Sequence, residues 1–204
     1  MRANKESAVE RRGRPRTFNI EAALDKALRV FWEKGYEGAS LDELTEAMGI
    51  SRPSLYAAFG DKEALFKQAL DRYELGPRSF VREALAEPTA RRVVERLLYG
   101  AVKLQTEPET PPGCLLVHGA LACGAGADAV RQELNARRAL IEAALRRRLV
   151  RAKAAGDLPR AANPADLARY VLTVIRGMAV QAAGGASHYE LRRVAQLALR
   201  AWPE

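Results

Sequence analysis

Both ends of this chain carry apolar side chains at i, i+3, i+4, i+7, i+8 and i+11. Ile20, Ala23, Leu24, Ala27, Leu28 and Phe31 form the first set, and Leu191, Val194, Ala195, Ala198, Leu199 and Trp202 the second. That spacing gathers every member on one face of an α-helix and scatters them over both faces of a strand. No period-two alternation runs for long anywhere between the two sets. The chain must therefore bury helical stripes against other helices. An all-α fold of about nine helices is expected from the stripes and their caps.

Start and stop signals divide the chain. Gly35 ends the first stripe. Ser40 with Glu43 makes a capping box, and Gly49 stops the short helix it opens. Ser51 caps another short helix through Ser54, Leu55, Tyr56 and Phe59, closed by Gly60. Asp61 caps a fourth helix, which Gly76-Pro77 breaks. After Pro88-Thr89 a long stripe carries Val93, Val94, Leu97, Leu98, Ala101 and Val102. A neutral apolar helix is expected near Cys114 to Cys123. A long helix follows, with Arg146, Arg147, Arg148 and Arg151 near its C-terminal end, where they suit the macrodipole. Asn163-Pro164 opens the next helix, and Ser187 with Glu190 opens the last.

Composition removes whole function classes. Two cysteines in 204 residues exclude a disulfide framework, and no Cys/His cluster has zinc-finger spacing. The arginine-rich N-terminus has no apolar core of a secretory signal. The longest stretch free of Asp, Glu, Lys and Arg, Thr110 to Ala127, holds two prolines and four glycines and makes a poor bilayer span. A cytoplasmic protein without membrane contact is expected. There is no phosphate-binding glycine loop and no Ser-His-Asp or HExxH arrangement, so no enzyme, cofactor or metal is expected. Net charge is +8, but the first 75 residues sum to neutral, so global basicity says little about DNA.

The most specific signal is Ser40 to Phe59. A short capped helix, a glycine turn and a second short capped helix make a helix-turn-helix. Small Ala47 lets two helices cross closely, and Ile50 and Leu55 are placed to anchor the turn. The second helix presents Arg52, Ser54, Tyr56 and Ala57, with Lys62 starting the next. Small polar and phenolic groups there suit phosphate contact.

The run Gly35-Tyr36, Ser40-Leu41-Asp42-Glu43-Leu44 and Met48 through Leu65 resembles the DNA-binding domain of the tetracycline-repressor (TetR/AcrR) family. The likeness covers about residues 18–66. Gly113-Cys114-Leu115-Leu116, Gly177-Met178-Ala179-Val180-Gln181 and Gly185-Ala186-Ser187 are similar, more loosely, to one branch of it. The resemblance implies a homodimeric transcriptional regulator, usually a repressor. It would bind a palindromic double-stranded DNA operator and be released by a small effector or by thiol modification. Carried onto this chain, Ser40, Ser54, Tyr56 and Lys62 would hold phosphates, while Arg52, Pro53 and Ala57 approach base edges. Many members have Thr at the Ser54 position and a larger polar residue at Ala57. That leaves Arg52 the best reader of guanine. The alternative is a helical homodimeric adaptor or small-molecule-binding protein without operator binding.

The resemblance divides the chain into a flexible basic arm (1–18), a helix-turn-helix domain with its linking helix (19–75) and a C-terminal effector-binding and dimerisation domain (76–204). In the arm, Arg-Gly-Arg-Pro resembles the core of minor-groove AT-hooks. Arg14 and Arg16 either enter an A·T-rich minor groove or belong to a solubilising tail. Leu167, Val171, Val174, Met178, Leu191, Val194, Ala198 and Trp202 are expected to line a four-helix dimer interface, or else the monomer core. Effector or redox candidates are Cys114, His118, Cys123, Leu98, Val102 and Met178. Cys114 follows Pro-Pro-Gly near a helix start, a location that can activate a thiol, though small buried cysteines are common. Cys114 and His118 share a helix face, but one helix supplies only two clear metal ligands.

Overall fold

The computed structural model describes residues 18–121 and 127–203. Among them are ten helices and no strand. In order they are α1 (Ile20–Gly38), α2 (Leu41–Met48), α3 (Arg52–Phe59), α4 (Lys62–Leu75), α5 (Phe80–Leu85), α6 (Ala90–Thr106), α7 (Leu115–Leu121), α8 (Asp128–Ala154), α9 (Pro164–Ala183) and α10 (His188–Arg200). The tenth is α5, a six-residue helix just after the Gly76-Pro77 break. It is too short to show a stripe, and no side chain caps it.

Local chemistry places the helix ends. Ser40 Oγ accepts from the Glu43 amide while the Glu43 carboxylate accepts from the Ser40 amide, and Ser187 and Glu190 repeat the arrangement. Asn19, Ser51, Asp61, Thr89 and Asn163 each cap a helix start with a side-chain oxygen. Inside α1, Gly35 leaves helical geometry at φ 72°, so the regular helix stops where the sequence predicts.

Two apolar cores result. The first gathers α1 to α4: Leu28, Phe31, Leu44, Leu55, Phe66 and Leu70 are buried there. Phe31 meets Phe66 edge-on at 4.9 Å, and Trp32 meets Tyr73 at 4.7 Å. Cys114, Leu115, Leu116 and Val117, with Val130 and Leu134 of α8, belong to this same core. The reading end and α7 therefore share one interior. The second core centres on α6, whose Val93, Val94, Leu97, Leu98, Ala101 and Val102 pack against α8, α9 and α10. Burying a side chain of this size contributes about 1.5–3 kcal/mol.

The stripes on α9 and α10 point inward. Val171, Met178, Leu191, Ala198 and Trp202 are buried in the second core. Leu167 and Val174 are half-buried, and Val194 is exposed. Helical period identifies a buried face but not which partner buries it, and here the chain's own α6 and α8 cover it. The outward face carries Tyr170, Gly177, Val180, Val194 and Leu197 instead. No described helix is long and apolar enough to cross a membrane.

Candidate nucleic-acid interface and effector chamber

The turn between α2 and α3 is built from the backbone outward. Gly49 adopts φ 71°, a left-handed conformation that costs a side-chain-bearing residue strain. Its amide and that of Ile50 donate to the Glu46 and Thr45 carbonyls at 3.1 and 3.0 Å, closing α2. Thr45 Oγ1 donates back to the Leu41 and Asp42 carbonyls. Fully buried Leu55 then fixes α3 against the first core.

That anchoring turns the other side of α3 to solvent. Arg52, Pro53, Tyr56 and Ala57 are exposed and Ser54 half-buried. Ser40, at the start of α2, is exposed as well. Arg52 pairs with Asp42 of α2, through Nε at 3.0 Å and Nη2 at 2.6 Å. Both partners are more than half exposed, so the pair is weak and easily exchanged. Ser54 Oγ shares a hydrogen bond with the cap hydroxyl of Ser51 at 2.9 Å. Lys62 Nζ sits 4.5 Å above the Tyr36 ring. Burial pulls its pKa below the usual lysine value, with Glu37 and Glu43 opposing. Lys34 pairs with Glu43, and this bond with the Ser40 cap holds the Glu43 carboxyl down at about 2. Arg14 and Arg16 lie outside the described residues.

The linking helix α4 is clamped on two sides. Arg72 donates to both Asp25 carboxylate oxygens of α1, at 2.7 and 2.9 Å, and to Glu21 at 3.0 Å. On the other side Arg137 of α8, only 13% exposed, meets Asp71 at 2.7 Å, Glu74 at 3.2 Å and Glu133 at 2.7 Å. Burial opposes the charge on Arg137, yet these carboxylates hold its pKa above the usual arginine value.

Beside α4 a small chamber opens between α5, α6, α7, α8 and α9. Phe80, Val81, Leu97, Leu172, Ile175 and Cys114 line it, together with Gln105 and three arginines. Its volume is about 30 Å³, room for roughly two water molecules. It shares Arg78, Val81 and Ile141 with an outer groove of about 310 Å³ between α5 and α8. Tyr73 of α4, fully buried, donates its hydroxyl to Cys114 Sγ at 3.3 Å. Burial drives the Tyr73 pKa well above the ordinary phenol value. Gly113 holds φ 88°, and a Cβ there would lie 2.2 Å from the His118 ring and 2.9 Å from the Ala179 carbonyl.

The sequence candidates scatter around this chamber. Cys114 lines it. His118 packs beside Gly113 instead, with its pKa lowered by burial against an opposing influence of the Ala179 carbonyl. Leu98, Val102 and Met178 are core residues behind its walls. Cys123 lies outside the described residues. No three His, Cys, Asp or Glu side chains group for a metal among the described residues. Sequence reasoning missed Tyr36, Tyr73, Arg137 and the chamber arginines. Only Tyr36 had a local signal, as the aromatic just after the glycine that ends the first helix.

Comparison with known proteins fits this geometry. Residues 23–69 match the bacterial regulatory proteins of the tetR family, and residues 88–198 match the tetracyclin repressor-like C-terminal domain. The HTH-type transcriptional repressor ComR of Escherichia coli (strain K12) is 34% identical over 195 residues, 95% of this chain and 93% of ComR. A cysteine-substituted form of the TetR family regulator CifR, solved with 26-base-pair double-stranded operator DNA, is 44% identical. It superposes with a TM-score of 0.89 over 93% of this chain and 100% of its own. A TetR regulator from Rhodococcus sp. RHA1 is 39% identical, with a TM-score of 0.62 over 91% of this chain and 100% of its own. Both halves of the chain match in tandem, and ComR aligns along nearly its whole length, so the protein belongs to the tetR family of DNA-binding transcriptional regulators.

Proposed function

We propose that the protein is a homodimeric repressor that holds a palindromic operator and lets go when the chamber beside α4 is filled or its thiol is modified. One observation carries this reading. The apolar core that seats α3 continues into α7 and the Cys114 wall of the chamber. A change there has a packed route to the reading helix.

On DNA, Ser40, Ser54, Tyr56 and Lys62 would hold phosphates, with Arg52, Pro53 and Ala57 toward base edges. Arg52 would exchange Asp42 for a guanine. Arg14 and Arg16 would reach the adjoining minor groove. Two copies would pair through the outward faces of α9 and α10, where Val180, Val194 and Leu197 are exposed. The pairing would set the two α3 helices roughly 34–36 Å apart. Movement of α4 would spoil that spacing, at a coupling of about 1–3 kcal/mol. Such a repressor works in the cytoplasm, beside the chromosome.

Selection of bound duplexes from a random pool, with and without mild oxidant, tests it. A palindromic winner supports the regulator. Loss of that winner on oxidation, abolished by Cys114→Ser, assigns the trigger to the thiol. A winner indifferent to oxidant assigns it to a ligand. No enriched sequence, with no salt-dependent duplex binding, sinks the reading in favour of a helical adaptor.

A further inference from the structure

The charged residues on the largely apolar chamber wall are all of one sign. Arg78, Arg138 and Arg176 all line it, from the α4–α5 link, α8 and α9. Among the described residues none has a carboxylate within hydrogen-bond distance. Arg138 donates to the Leu116 carbonyl at 3.4 Å and to the Asn135 side chain. Arg176 reaches only Glu142, at 3.9 Å, and Glu142 is shared with Arg169 at 3.6 Å. Arg78 makes no side-chain ion pair with a described residue. Burial lowers the Arg176 pKa, against Glu142, and both Arg138 and Arg78 add to the lowering. Three half-buried arginines on one apolar pocket repel one another and lose part of their solvation.

A second, independent observation comes from Gln105. It is 2% exposed and lines the same chamber. Its Nε2 donates to the Ile175 carbonyl at 3.1 Å, which fixes the amide. Its Oε1 is buried with no hydrogen-bond partner. An orphaned buried acceptor costs stability unless something donates to it.

We infer that the chamber is a binding site for a small organic anion, apolar in its body, whose negative group sits among Arg78, Arg138 and Arg176 and whose hydroxyl or N–H donates to Gln105. Guanidiniums recognise carboxylates through charge-assisted, often paired hydrogen bonds. The apolar body would lie on Phe80, Val81, Leu172 and Ile175. At about 30 Å³ the chamber must widen to admit it. The short, uncapped α5, which carries Phe80 and Val81 between chamber and outer groove, is the wall that gives. This inference rests on the regulator reading, because it names what the effector is made of.

The test uses the full chain and three matched probes: 4-hydroxybenzoate, benzoate and 4-hydroxybenzamide. Melting temperature and affinity for the selected operator are measured with each. Expected is a rise in melting temperature and a roughly tenfold or greater loss of operator affinity with the acids but not with the amide. The hydroxylated acid should act at lower concentration than benzoate. Arg176→Gln should abolish the response and Arg176→Lys retain part of it. Gln105→Leu should remove only the advantage of the hydroxyl. Without any probe, Arg176→Met should melt higher than wild type, because like-charge repulsion is relieved. An amide as effective as the acids, or acids without effect together with a lower-melting Arg176→Met, overturns the inference. The regulator reading fails separately, if no probe-free protein binds any selected operator.

Discussion

The reading helix and the chamber are built in opposite ways. The first comes from a contiguous stretch, Ser40 to Lys62, shaped by side chains that bond to backbone three residues away. The second draws walls from five helices, with Arg78, Gln105, Cys114, Arg138 and Arg176 spread over about a hundred residues. The first is exposed, and its charged groups rest on weak partners that a phosphate or base can replace. The second is half-buried, and its polar groups are incompletely matched: Gln105 Oε1 has no partner and Arg176 has Glu142 only at 3.9 Å. A surface that meets DNA can leave its charges to water between encounters. A half-buried site has less water to lend, so an unmatched buried acceptor such as Gln105 Oε1 points to the donor it would take.

The largest effect should come from the core the two regions share. Phe31→Ala removes a fully buried ring packed on Phe66 and Tyr36, and should cost about 3–5 kcal/mol in urea unfolding. Operator binding and probe response should fall together. Loss of one without the other would separate the regions.

Cutting the clamp between them should cost less. Arg137→Ala frees Asp71, Glu74 and Glu133 and should destabilise by about 1–3 kcal/mol, since Asp71 is largely exposed. Release of DNA by a bound anion should weaken while probe-free operator binding persists. An unchanged release would assign the coupling to the apolar core alone.

Arg52→Ala isolates the reading side. Its bond to exposed Asp42 contributes little, so the melting temperature should hold. Affinity for the selected operator should fall by about 1–3 kcal/mol, with discrimination lost at one base pair per half-site. A uniform loss across sequences would make Arg52 a phosphate contact. On the chamber side, Tyr73→Phe deletes one hydrogen bond to Cys114 and should cost only about 0.5–1.5 kcal/mol in thermal unfolding.

The smallest effect is acid sensitivity of the reading end. The Glu43 carboxyl, held at about 2 by Lys34 and the Ser40 cap, stabilises α2 above its ordinary value of 4.5. That contribution fades as pH falls from there toward 2. Glu43→Gln should flatten the stability profile across this window.

What was legible in the sequence follows the range of the forces involved. The capping boxes at Ser40 and Ser187 act across three residues and can be read directly. The Gly49 turn and the exposed side of α3 follow from Leu55 facing in. α5 left no trace because six residues hold less than two turns of any stripe. The stripes on α9 and α10 were visible, but the helices that bury them were not, so residues such as Met178 and Trp202 suggest an interface and lie in the core. Arg78, Arg138 and Arg176 each read as ordinary surface arginines. Only folding brings them to one wall, and no spacing rule connects them.

The interior that α1 and α4 share with α7 has a consequence for engineering. Regulators of this architecture invite chimeras, in which one protein's reading end is spliced to another's sensor at the end of α4. Here such a splice would pair Phe66, Leu70 and Tyr73 with a stranger's version of the Cys114 to Val117 segment. A transplant that carries this segment along with residues 18–75 keeps the seam intact. The workable unit of exchange is thus discontinuous in sequence, a head together with the short strap that closes over it.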